Sequence, residues 1–579
     1  MTLGEMVLRA TERHAGVALR FHADAGWRDM RYPELGDALR QIAGGLLALG
    51  IAPGDRVAVL AETRHEWTLA DCAALAAGAA VVPIYQTNSP EECRYVLTHS
   101  GARLVFCEDE HQLAKVEQIR DACPSLEHVV LLTGSAAGAL SLDELVQAGS
   151  GGAPDALDAR LAALRPEDPA TIVYTSGTTG PPKGCVLTHR NVLATVRMYG
   201  DALELGREPF SIFMFLPLAH VLARVAQMVA LERGGTISYW RRDSARLLDD
   251  LAQTAPTHVP LVPRVLEKVH ARAFSAAGES RLRRALLSWA LRTGAAAAGR
   301  EGGPLLRTRH ALADRLVLAK VRGLFGGELR QVLTGAAPVG REVLDFFAAC
   351  GVPVLEGYGL TETCAAATLN TAGAVRLGTV GRALPGVSVA IADDGEVLIR
   401  GSNVFPGYYA DEAATAEALA DGWLRSGDLG VLDGDGYLTI TGRKKDIIIT
   451  SSGKNVTPAN IEAALRERPL ISHAVVYGDN RPYLVALLTL EPDELPALAR
   501  RLGVPADPAA LADDELVREL LEAEVGQVNE RFARIEQVKR FAVLDRDLTQ
   551  AAGELTPTLK VKRAAVYDIH GETLKRLYR

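Results

Sequence analysis

The sequence predicts an α/β protein of several domains, and three features of the chain support this. Short apolar strands alternate with helical patterns over roughly the first 360 residues. After about residue 376 the pattern changes to short strands separated by Gly and Asp turns, and near residue 446 it changes again to mixed strands and helices. Such changes mark separate structural units, and 579 residues are enough for roughly four of them.

The first part of the chain predicts parallel β-sheets covered by helices. Short runs of apolar or β-branched residues, separated by helical patterns, lie at 56–62, 81–85, 103–108, 128–132, 171–176, 329–335 and 352–359. Strands and helices in alternation form βαβ units, whose strands are parallel. Two Ala- and Gly-rich stretches, 134–155 and 293–303, contain few aromatic residues and are expected to be surface loops.

The predicted architecture is a large N-terminal domain followed by a small one. We expect the large domain over residues 1–442, built from βαβ subdomains and a β-rich subdomain at about 376–442. Residues 443–579 are expected to form a small α+β C-terminal domain that contains a long charged helix at about 513–534.

Composition and charge exclude several classes of protein. The formal net charge is −8, and 48% of the residues are hydrophobic and 23% charged, as in ordinary globular domains. We find no basic stripe in this acidic sequence and expect no binding to nucleic acid. The seven cysteines form no C-x-x-C pair, which fits neither a zinc site nor a disulfide framework and favours the cytoplasm. The most apolar stretch, 72–85, is shorter than the roughly 20 residues of a membrane span.

The strongest motif is a loop rich in glycine and hydroxyl groups, TSGTTGPPKG, directly after the predicted strand at 171–176. Its candidate ligand-binding residues are Thr175, Ser176, Gly177, Thr178, Thr179, Gly180 and Lys183. Glycines let backbone N–H groups approach phosphate oxygens, hydroxyl groups add hydrogen bonds and the lysine adds positive charge. The loop therefore predicts a polyphosphate site. Its spacing differs from the Walker A pattern, which disfavours a P-loop NTPase.

Five further motifs follow the loop along the chain. They are GAAP at 335–338, EGYGLTET at 356–363, SGDLG at 426–430, GRKKD at 442–446 and LTPTLKVKR at 555–563. In this order the six motifs resemble the signature of the adenylate-forming (AMP-binding) superfamily, over roughly residues 30–565. The resemblance implies the adenylate-forming enzyme fold, in which ATP binds between a large N-terminal domain and a small, mobile C-terminal domain.

The resemblance also implies which residues contact the nucleotide. Besides the glycine-rich loop, they are Gly335, Ala336, Ala337, Glu356, Gly357, Tyr358, Gly359, Thr361, Asp428 and Arg443. Tyr358, flanked by two glycines, is expected to stack on adenine, and Thr361 to hydrogen-bond the α-phosphate. Asp428 would accept hydrogen bonds from the ribose hydroxyls. Arg443 would contact ribose or phosphate.

Two charged residues carry the predicted chemistry. Glu362 would repel ATP unless a cation intervened, so we expect it to bind Mg²⁺. By resemblance Lys560 is the catalytic lysine, together with Thr361 and Glu362 as catalytic residues. A cation between a carboxylate and the α-phosphate offsets their repulsion. Lys562 is a competing candidate for this position.

The C-terminal domain is expected to rotate between two half-reactions. By resemblance Lys445 is the hinge, and Ser452, Gly453 and Lys454 lie beside coenzyme A after the rotation. The chain departs from many members at two positions. Leu559 replaces a glycine, as is common in long-chain fatty acid ligases, and Ile449 replaces a lysine that contacts ATP.

The substrate is predicted from segments that resemble long-chain fatty acid–CoA ligases, at 85–106, 215–228 and 258–274. They imply ATP-dependent activation of a medium- to long-chain fatty acid to acyl-AMP, then transfer to coenzyme A, giving acyl-CoA, AMP and pyrophosphate. His220 is expected near the carboxylate entrance, with a packed or capping histidine as the alternative.

Two other functions stay open. An acyl-AMP ligase that delivers to a carrier protein would share these motifs, and a non-catalytic acyl or nucleotide sensor would share the fold. Retention of Glu362, Arg443 and Lys560 argues against the sensor. Loose association with a membrane surface is compatible with a substrate that partitions into lipid. The sequence carries no signal for the oligomeric state.

Overall fold

The computed structural model describes residues 1–23, 26–150, 154–175, 181–277, 280–297, 303–452, 454–556 and 559–579. Its strands are β1 (Val17–Ala23), β2 (Gly26–Arg31), β3 (Arg56–Leu60), β4 (Ala80–Ile84), β5 (Leu104–Cys107), β6 (His128–Leu131), β7 (Leu140–Ser141), β8 (Pro169–Thr175), β9 (Lys183–Thr188), β10 (Ser211–Met214), β11 (Thr236–Tyr239), β12 (His258–Leu261), β13 (Gln331–Thr334), β14 (Val354–Tyr358), β15 (Thr368–Leu369), β16 (Arg382–Ala383), β17 (Ser388–Ile391), β18 (Glu396–Arg400), β19 (Gly407–Tyr408), β20 (Leu419–Ala420), β21 (Trp423–Leu432), β22 (Leu438–Arg443), β23 (Ile448–Ile449), β24 (Asn455–Val456), β25 (Ile471–Tyr477), β26 (Leu484–Leu490) and β27 (Val538–Val543). Its helices are α1 (Leu3–Arg13), α2 (Tyr32–Ala48), α3 (His65–Ala76), α4 (Pro90–Ser100), α5 (Glu110–Glu117), α6 (Leu142–Gly149), α7 (Pro154–Ala163), α8 (His189–Ala202), α9 (Val221–Arg233), α10 (Leu247–Thr254), α11 (Pro263–Ala277), α12 (Arg281–Ala297), α13 (Pro304–Ala313), α14 (Ala319–Gly323), α15 (Arg341–Ala349), α16 (Glu412–Ala418), α17 (Pro458–Arg466), α18 (Leu495–Leu502), α19 (Pro508–Ala512), α20 (Glu515–Asn529), α21 (Arg563–Ile569) and α22 (Gly571–Arg576).

Two large sheets form the first part of the chain. One has eight strands in the order β19-β9-β8-β4-β3-β5-β6-β7, and the other has nine in the order β16-β15-β14-β13-β12-β10-β11-β1-β2. The pairs β3–β4, β3–β5, β5–β6, β12–β13 and β13–β14 are parallel. Each apolar run predicted as a strand contains one, because a buried parallel strand needs a continuous hydrophobic stretch. The α/β class is therefore confirmed.

The interpretation of 134–155 as a surface loop is wrong in part, because residues 142–149 form α6. Ser141 and Glu144 form a capping box: each side chain accepts a hydrogen bond from the other residue's backbone N–H. Similarly, α12 continues to residue 297 within the other predicted loop, 293–303. Alanine favours helices and outweighs the neighbouring glycines there.

The later part of the chain contains three smaller sheets. Strands β17, β18, β20, β21 and β22 form a five-stranded antiparallel sheet, which corresponds to the predicted β-rich subdomain. Beyond it, β23 and β24 form a two-stranded sheet, and β25, β26 and β27 form a three-stranded sheet. The long charged helix predicted at about 513–534 is α20, which ends somewhat earlier.

The hydrophobic cores support the predicted domain boundary. Three clusters of buried apolar side chains draw only on residues up to 438. Two others draw only on residues from 448 onwards. Because a domain is built around its own core, we propose that the large domain ends near residue 442 and the small one begins at 443. Among the described helices, none is long and apolar enough to cross a membrane.

Candidate active site

The predicted adenine side of the site lies where two parallel strands end. Thr334 of β13 pairs with Glu356 of β14, so the segments that follow both strands emerge at one edge of the sheet. A Cβ atom on Gly335 would lie 2.9 Å from the carbonyl oxygen of Gly357, so only glycine allows this close approach. Burial raises the pKa of Glu356 to about 7, although backbone N–H groups of Gly378 and Val339 lower it.

Further along this edge lie the other predicted nucleotide contacts. Ala336 has a positive φ of 70°, an uncommon conformation outside glycine. A Cβ atom on Gly359 would lie 2.3 Å from the carbonyl oxygen of Ala365, so this turn also requires glycine. Thr361 begins a short 3₁₀ turn that contains Glu362. The backbone therefore brings the whole GAAP and EGYGLTET segments to one edge.

Tyr358, Asp428 and Arg443 form one hydrogen-bonded cluster. The Tyr358 hydroxyl donates to Asp428 Oδ2 (2.8 Å), and Arg443 Nε lies 3.0 Å from Asp428 Oδ1. The two charged residues are partners in the antiparallel pair β21–β22. Burial raises the pKa of Asp428, and the charge of Arg443 acts in the opposite direction. This cluster holds a carboxylate next to the ring that is predicted to stack on adenine.

Lys560 lies within electrostatic range of this cluster. Burial lowers the pKa of the ammonium group and the charge of Arg443 lowers it further, whereas Asp428 raises it. The pKa of Asp428 is in turn lowered by the charge of Lys560. The charge of the predicted catalytic lysine and the charges of the predicted ribose-binding residues thus affect one another. Lys562 is instead the residue immediately before α21.

A tight turn fixes the backbone of Lys560. The backbone N–H of Lys560 donates to Thr556 Oγ1 (3.0 Å), and the N–H of Thr556 donates to the Lys560 carbonyl oxygen (2.7 Å). The N–H of Lys562 donates to the carbonyl oxygen of Glu554 (2.7 Å). Leu559 has a positive φ of 60°, a conformation that glycine adopts more readily than leucine.

Glu554 anchors the base of this turn. Its fully buried carboxylate accepts hydrogen bonds from Arg546 Nη1 (2.6 Å), Arg546 Nη2 (2.9 Å) and the Thr549 N–H (3.0 Å), and lies 2.8 Å from His570 Nε2. Burial raises the pKa of Glu554, but the partners outweigh burial and lower it to about 2. A carboxylate whose pKa is lower in the folded state stabilises the fold at pH values above its unfolded pKa of about 4.3. This contribution is lost as the pH falls towards 2. Sequence reasoning missed this residue.

We predict that Glu554→Gln slows acyl-AMP formation about tenfold to a hundredfold, because small displacements of a catalytic group have effects of this size. Transfer from supplied acyl-AMP to coenzyme A should keep its rate. Glu572→Gln is the matched control, since Glu572 pairs with Lys575 on the surface of the same domain. Unchanged acyl-AMP formation by a folded Glu554→Gln variant would contradict the anchoring role.

Glu362 lies at the opposite side of the site, beside the glycine-rich loop. Its Oε1 accepts a hydrogen bond from the Tyr408 hydroxyl (2.7 Å), and Lys183 Nζ lies 5.1 Å from the centre of the Tyr408 ring. Strand β19 positions Tyr408 by pairing with β9, opposite Cys185. Sequence reasoning missed Tyr408, which has no motif of its own.

The site fits a Mg²⁺ ion held mainly by substrate. Within the described ranges, no group of three or more His, Cys, Asp or Glu side chains could hold a metal. Mg²⁺ is typically bound by one or two carboxylates together with phosphate oxygens and water. Glu362 can supply the carboxylate, and when bound the ion would neutralise phosphate charge. Its binding remains a proposal.

We predict that Tyr408→Phe lowers kcat/KM for acyl-AMP formation about tenfold when Mg²⁺ is limiting. The substitution removes one hydrogen bond to a carboxylate, and such bonds contribute about 1.5–3 kcal/mol. Tyr437→Phe is the control, because it removes a hydroxyl that donates to the carbonyl oxygen of Ala374 (3.0 Å). Equal Mg²⁺ dependence in the wild type and Tyr408→Phe would refute a positioning role for this hydroxyl.

The glycine-rich loop is described only at its ends. Thr175 pairs with Lys183 where β8 and β9 meet, and the Thr175 hydroxyl lies 3.5 Å from the Lys183 carbonyl oxygen. The predicted contacts Ser176, Gly177, Thr178, Thr179 and Gly180 lie outside the described residues. The Tyr95 hydroxyl donates to the carbonyl oxygen of Pro182 (2.9 Å), so α4 supports the second half of the loop.

His220 is the capping residue at the start of α9. Its Nδ1 accepts a hydrogen bond from the backbone N–H of Leu222 (3.2 Å). Burial and, to a smaller extent, the charge of Lys560 together lower the pKa of His220 to about 4. The capping alternative is therefore what the structure shows, and the side chain also lies within electrostatic range of the predicted catalytic lysine. A role in guiding the carboxylate stays a prediction.

The predicted hinge and thiol-side residues lie in the segment after β22. Lys445 belongs to a 3₁₀ turn at Lys444–Asp446. Ser452 Oγ lies 2.9 Å from Thr450 Oγ1, and the Lys454 N–H donates to the same hydroxyl (3.3 Å). Gly453 lies outside the described residues. Ser452 and Lys454 thus both hydrogen-bond to Thr450 within the same turn.

Polar contacts hold the two domains together with Lys560 in the site. Arg264 of α11 donates to the Ser472 carbonyl oxygen (3.1 Å) and hydroxyl (2.8 Å). Lys268, one turn further along α11, pairs with Asp493 (3.0 Å). These contacts join the start of α11 to the three-stranded sheet of the small domain, and they define one orientation of the domains.

The fold is that of AMP-binding enzymes. The chain matches the AMP-binding enzyme family over residues 8–409 and the AMP-binding enzyme C-terminal domain over residues 445–579. It belongs to this family.

Individual relatives give a finer comparison. Long-chain-fatty-acid–CoA ligase FadD15 of Mycobacterium tuberculosis is 42% identical over 570 residues, which cover 96% of this chain and 93% of that protein. Human long-chain-fatty-acid–CoA ligase ACSBG1 is 32% identical over 619 residues, covering 100% of this chain and 85% of that protein.

Solved structures show the same fold at lower identity. The anthranilate CoA ligase AuaEII in complex with anthranoyl-AMP superposes with a TM-score of 0.77 at 20% identity, covering 99% of this chain and 98% of that chain. A Mycobacterium tuberculosis fatty acyl CoA synthetase superposes with a TM-score of 0.64 at 23% identity, covering 99% of each chain.

Proposed function

We propose that this protein is a fatty acid–CoA ligase that acts on medium- to long-chain acids. ATP and the acid would give acyl-AMP and pyrophosphate, and coenzyme A would then give acyl-CoA and AMP. The observation that supports this most strongly is the position of Lys560, whose charge lies within electrostatic range of the paired side chains of Asp428 and Arg443. Near full-length similarity to two long-chain-fatty-acid–CoA ligases supports the substrate class.

The first half-reaction joins two anions. The fatty acid carboxylate attacks the α-phosphorus of ATP, a carboxylate C–O–P bond forms and the bond to pyrophosphate breaks. Catalysis of such a transfer depends on positioning and on neutralising charge. In our proposal the Lys560 ammonium lies between the carboxylate and the α-phosphate, Tyr358 stacks on adenine, and Asp428 and Arg443 hold the ribose.

The second half-reaction needs a different arrangement at the same centre. The thiol of coenzyme A attacks the acyl carbon, the thioester bond forms, and AMP leaves with the electron pair of the broken C–O bond. We propose that the small domain turns about Lys445, which withdraws Lys560 and brings Ser452, Gly453 and Lys454 towards the thiol. Residues that absorb such a change lie at element ends, as Lys445 does after β22.

Product analysis across a series of acids tests the proposal. Purified protein with Mg-ATP is given saturated acids of two to eighteen carbons, with and without coenzyme A, and AMP, acyl-AMP and acyl-CoA are quantified. We expect acyl-CoA from acids of twelve to eighteen carbons. Acyl-AMP that accumulates despite coenzyme A would indicate a carrier protein as acceptor. Failure to turn over any acid would favour a sensor and overturn the proposal.

We also propose a cytoplasmic location with loose attachment to a membrane surface. The substrate class is the reason, because long acyl chains partition into lipid. A lipid-soluble substrate is delivered most directly to an enzyme that works at the bilayer surface.

A further inference from the structure

One helical region differs sharply in charge from the rest of the protein. Residues 280–323 contain ten Lys and Arg residues and only two acidic ones, whereas the whole chain has 63 basic and 71 acidic residues. The region comprises α12, α13 and α14, joined between α13 and α14 by a π-helical turn at Asp314–Leu318. The expectation that this acidic protein has no basic stripe therefore misses a local concentration of positive charge.

The same region exposes leucine side chains. Of the fourteen large hydrophobic residues that are exposed among the described residues, five lie in this region, between 282 and 316. The most exposed are Leu282 (79%), Leu305 (74%) and Leu312 (52%), followed by Leu316 (39%). Single exposed leucines are ordinary, but a group of them on one helical region marks an interaction surface.

The leucines of α13 and the following turn share one helix face with an arginine. Leu305, Arg309, Leu312 and Leu316 follow one another at intervals of four, three and four residues, which is the spacing of a single helical stripe. Ala313 and Leu318 lie off this stripe and belong to a buried core cluster. The exposed stripe therefore contributes little to the core of the domain.

Three arginines of this region form no ion pair in the part of the chain that the structure describes. Arg307, Arg309 and Arg315 are exposed, and no described carboxylate forms an ion pair with any of them. Asp314 pairs with Arg322 (2.8 Å) and so neutralises a different arginine. Positive charge is thus available on the same surface as the leucines.

We propose that this surface, defined by Leu282, Leu305, Arg307, Arg309, Leu312 and Leu316, docks the enzyme on an anionic lipid bilayer. Arginines would meet lipid phosphates, while leucines would enter the boundary between headgroups and acyl chains. A nucleic acid would attract the arginines but gain nothing from the leucines. This inference rests on the proposed function, because the surface is where the enzyme would meet the lipid that contains its substrate.

Vesicle flotation tests the surface without any turnover. Full-length protein is mixed with vesicles of phosphatidylcholine alone, or of phosphatidylcholine with phosphatidylglycerol, and the floating fraction is measured. We expect binding to the anionic vesicles only. Arg307→Glu/Arg309→Glu should lower the partition coefficient at least tenfold, since each basic residue near an anionic surface contributes about a fivefold factor. Leu305→Ser/Leu312→Ser should also lower it at least tenfold, because binding scales with the apolar area that enters the bilayer.

Matched controls lie on the C-terminal domain. Leu516→Ser changes a leucine that is 52% exposed, like Leu312, and Arg500→Glu/Arg501→Glu changes two exposed arginines at the end of α18. These variants should float like the wild type. Absence of wild-type flotation, equal flotation on neutral vesicles or equal loss in the controls would overturn the proposal. So would binding to a DNA fragment that depends on the arginines but not on the leucines.

A parallel assay separates this proposal from the proposed function. Each variant is also tested for acyl-CoA formation from a twelve-carbon acid supplied in solution without vesicles. Retained activity with lost flotation supports the docking surface. If both surface variants keep their activity and float like the wild type, the docking surface alone is overturned. If the wild type floats but activates no acid, the ligase function alone is overturned.

Discussion

Replacing Lys560 by alanine is expected to slow acyl-AMP formation at least about a hundredfold. The ammonium group lies within electrostatic range of Asp428 and Arg443, and in our proposal it lies between the carboxylate and the α-phosphate. Removing one group that stabilises developing negative charge typically costs a hundredfold to a thousandfold. Pyrophosphate release from enzyme, Mg-ATP and a sixteen-carbon acid measures this rate directly.

The effect should be confined to the first half-reaction. Lys560→Ala should still transfer supplied acyl-AMP to coenzyme A at close to the wild-type rate, because Lys560 leaves the site before that step in our proposal. Lys562→Ala is the matched control, since Lys562 lies two residues away and precedes α21. Equal loss of acyl-AMP formation in both variants, or loss of both half-reactions in Lys560→Ala, would contradict the assignment.

The pH dependence of the first half-reaction provides a second readout. Burial and the charge of Arg443 lower the pKa of Lys560 below the ordinary lysine value of 10.5, although Asp428 opposes them. A lysine that must be protonated loses its effect as the pH rises through its pKa. We therefore expect the acyl-AMP rate to fall on the alkaline side, before an ordinary lysine would titrate. Lys560→Arg should remove that decline, because arginine stays protonated.

Glu362→Gln is the other substitution for which we expect a large loss, of about a hundredfold in acyl-AMP formation. The change keeps the shape of the side chain and removes the negative charge that would bind Mg²⁺. Added Mg²⁺ should restore part of the activity, because the weakened site can be filled by mass action. Initial rates at a series of Mg²⁺ concentrations measure both effects.

The control for this experiment is Glu417→Gln. Glu417 is exposed on α16 and lies close enough to Tyr408 for its charge to raise the tyrosine pKa, as Glu362 does. Glu417 is therefore close to Tyr408, as Glu362 is, but does not belong to the EGYGLTET motif. A Glu362→Gln variant with wild-type rates at every Mg²⁺ concentration would rule out a metal-binding role for this carboxylate.

The elements that sequence reasoning predicts well are encoded locally. A buried parallel strand such as β5 or β13 requires a short continuous apolar run, which can be read from the chain alone. The adenine-side turn is also local, because Gly335 and Gly359 stand where a Cβ atom would clash. Helix α6 was predictable in the same way from its capping box, although its composition suggests a loop.

Residues that act through distant partners carry no such local signal. Tyr408 reaches Glu362 across 46 positions of the chain, and only the pairing of β19 with β9 brings it there. The sequence around Glu554 resembles many surface turns, and its anchoring role depends on Arg546 and His570 folding around it. The basic surface around α13 cannot be recognised from the net charge of the whole chain, which is −8, because acidic residues elsewhere outnumber its arginines.

A single-turnover chase tests the central claim most directly. Enzyme in excess is mixed with Mg-ATP and a radiolabelled sixteen-carbon acid without coenzyme A, samples are quenched, and coenzyme A is then added. The account predicts acyl-AMP and pyrophosphate in equal amounts before the chase, and conversion of that acyl-AMP to acyl-CoA with release of AMP after it. Acyl-CoA formed with ADP and phosphate, or labelled acid that stays unchanged in both phases, would contradict it.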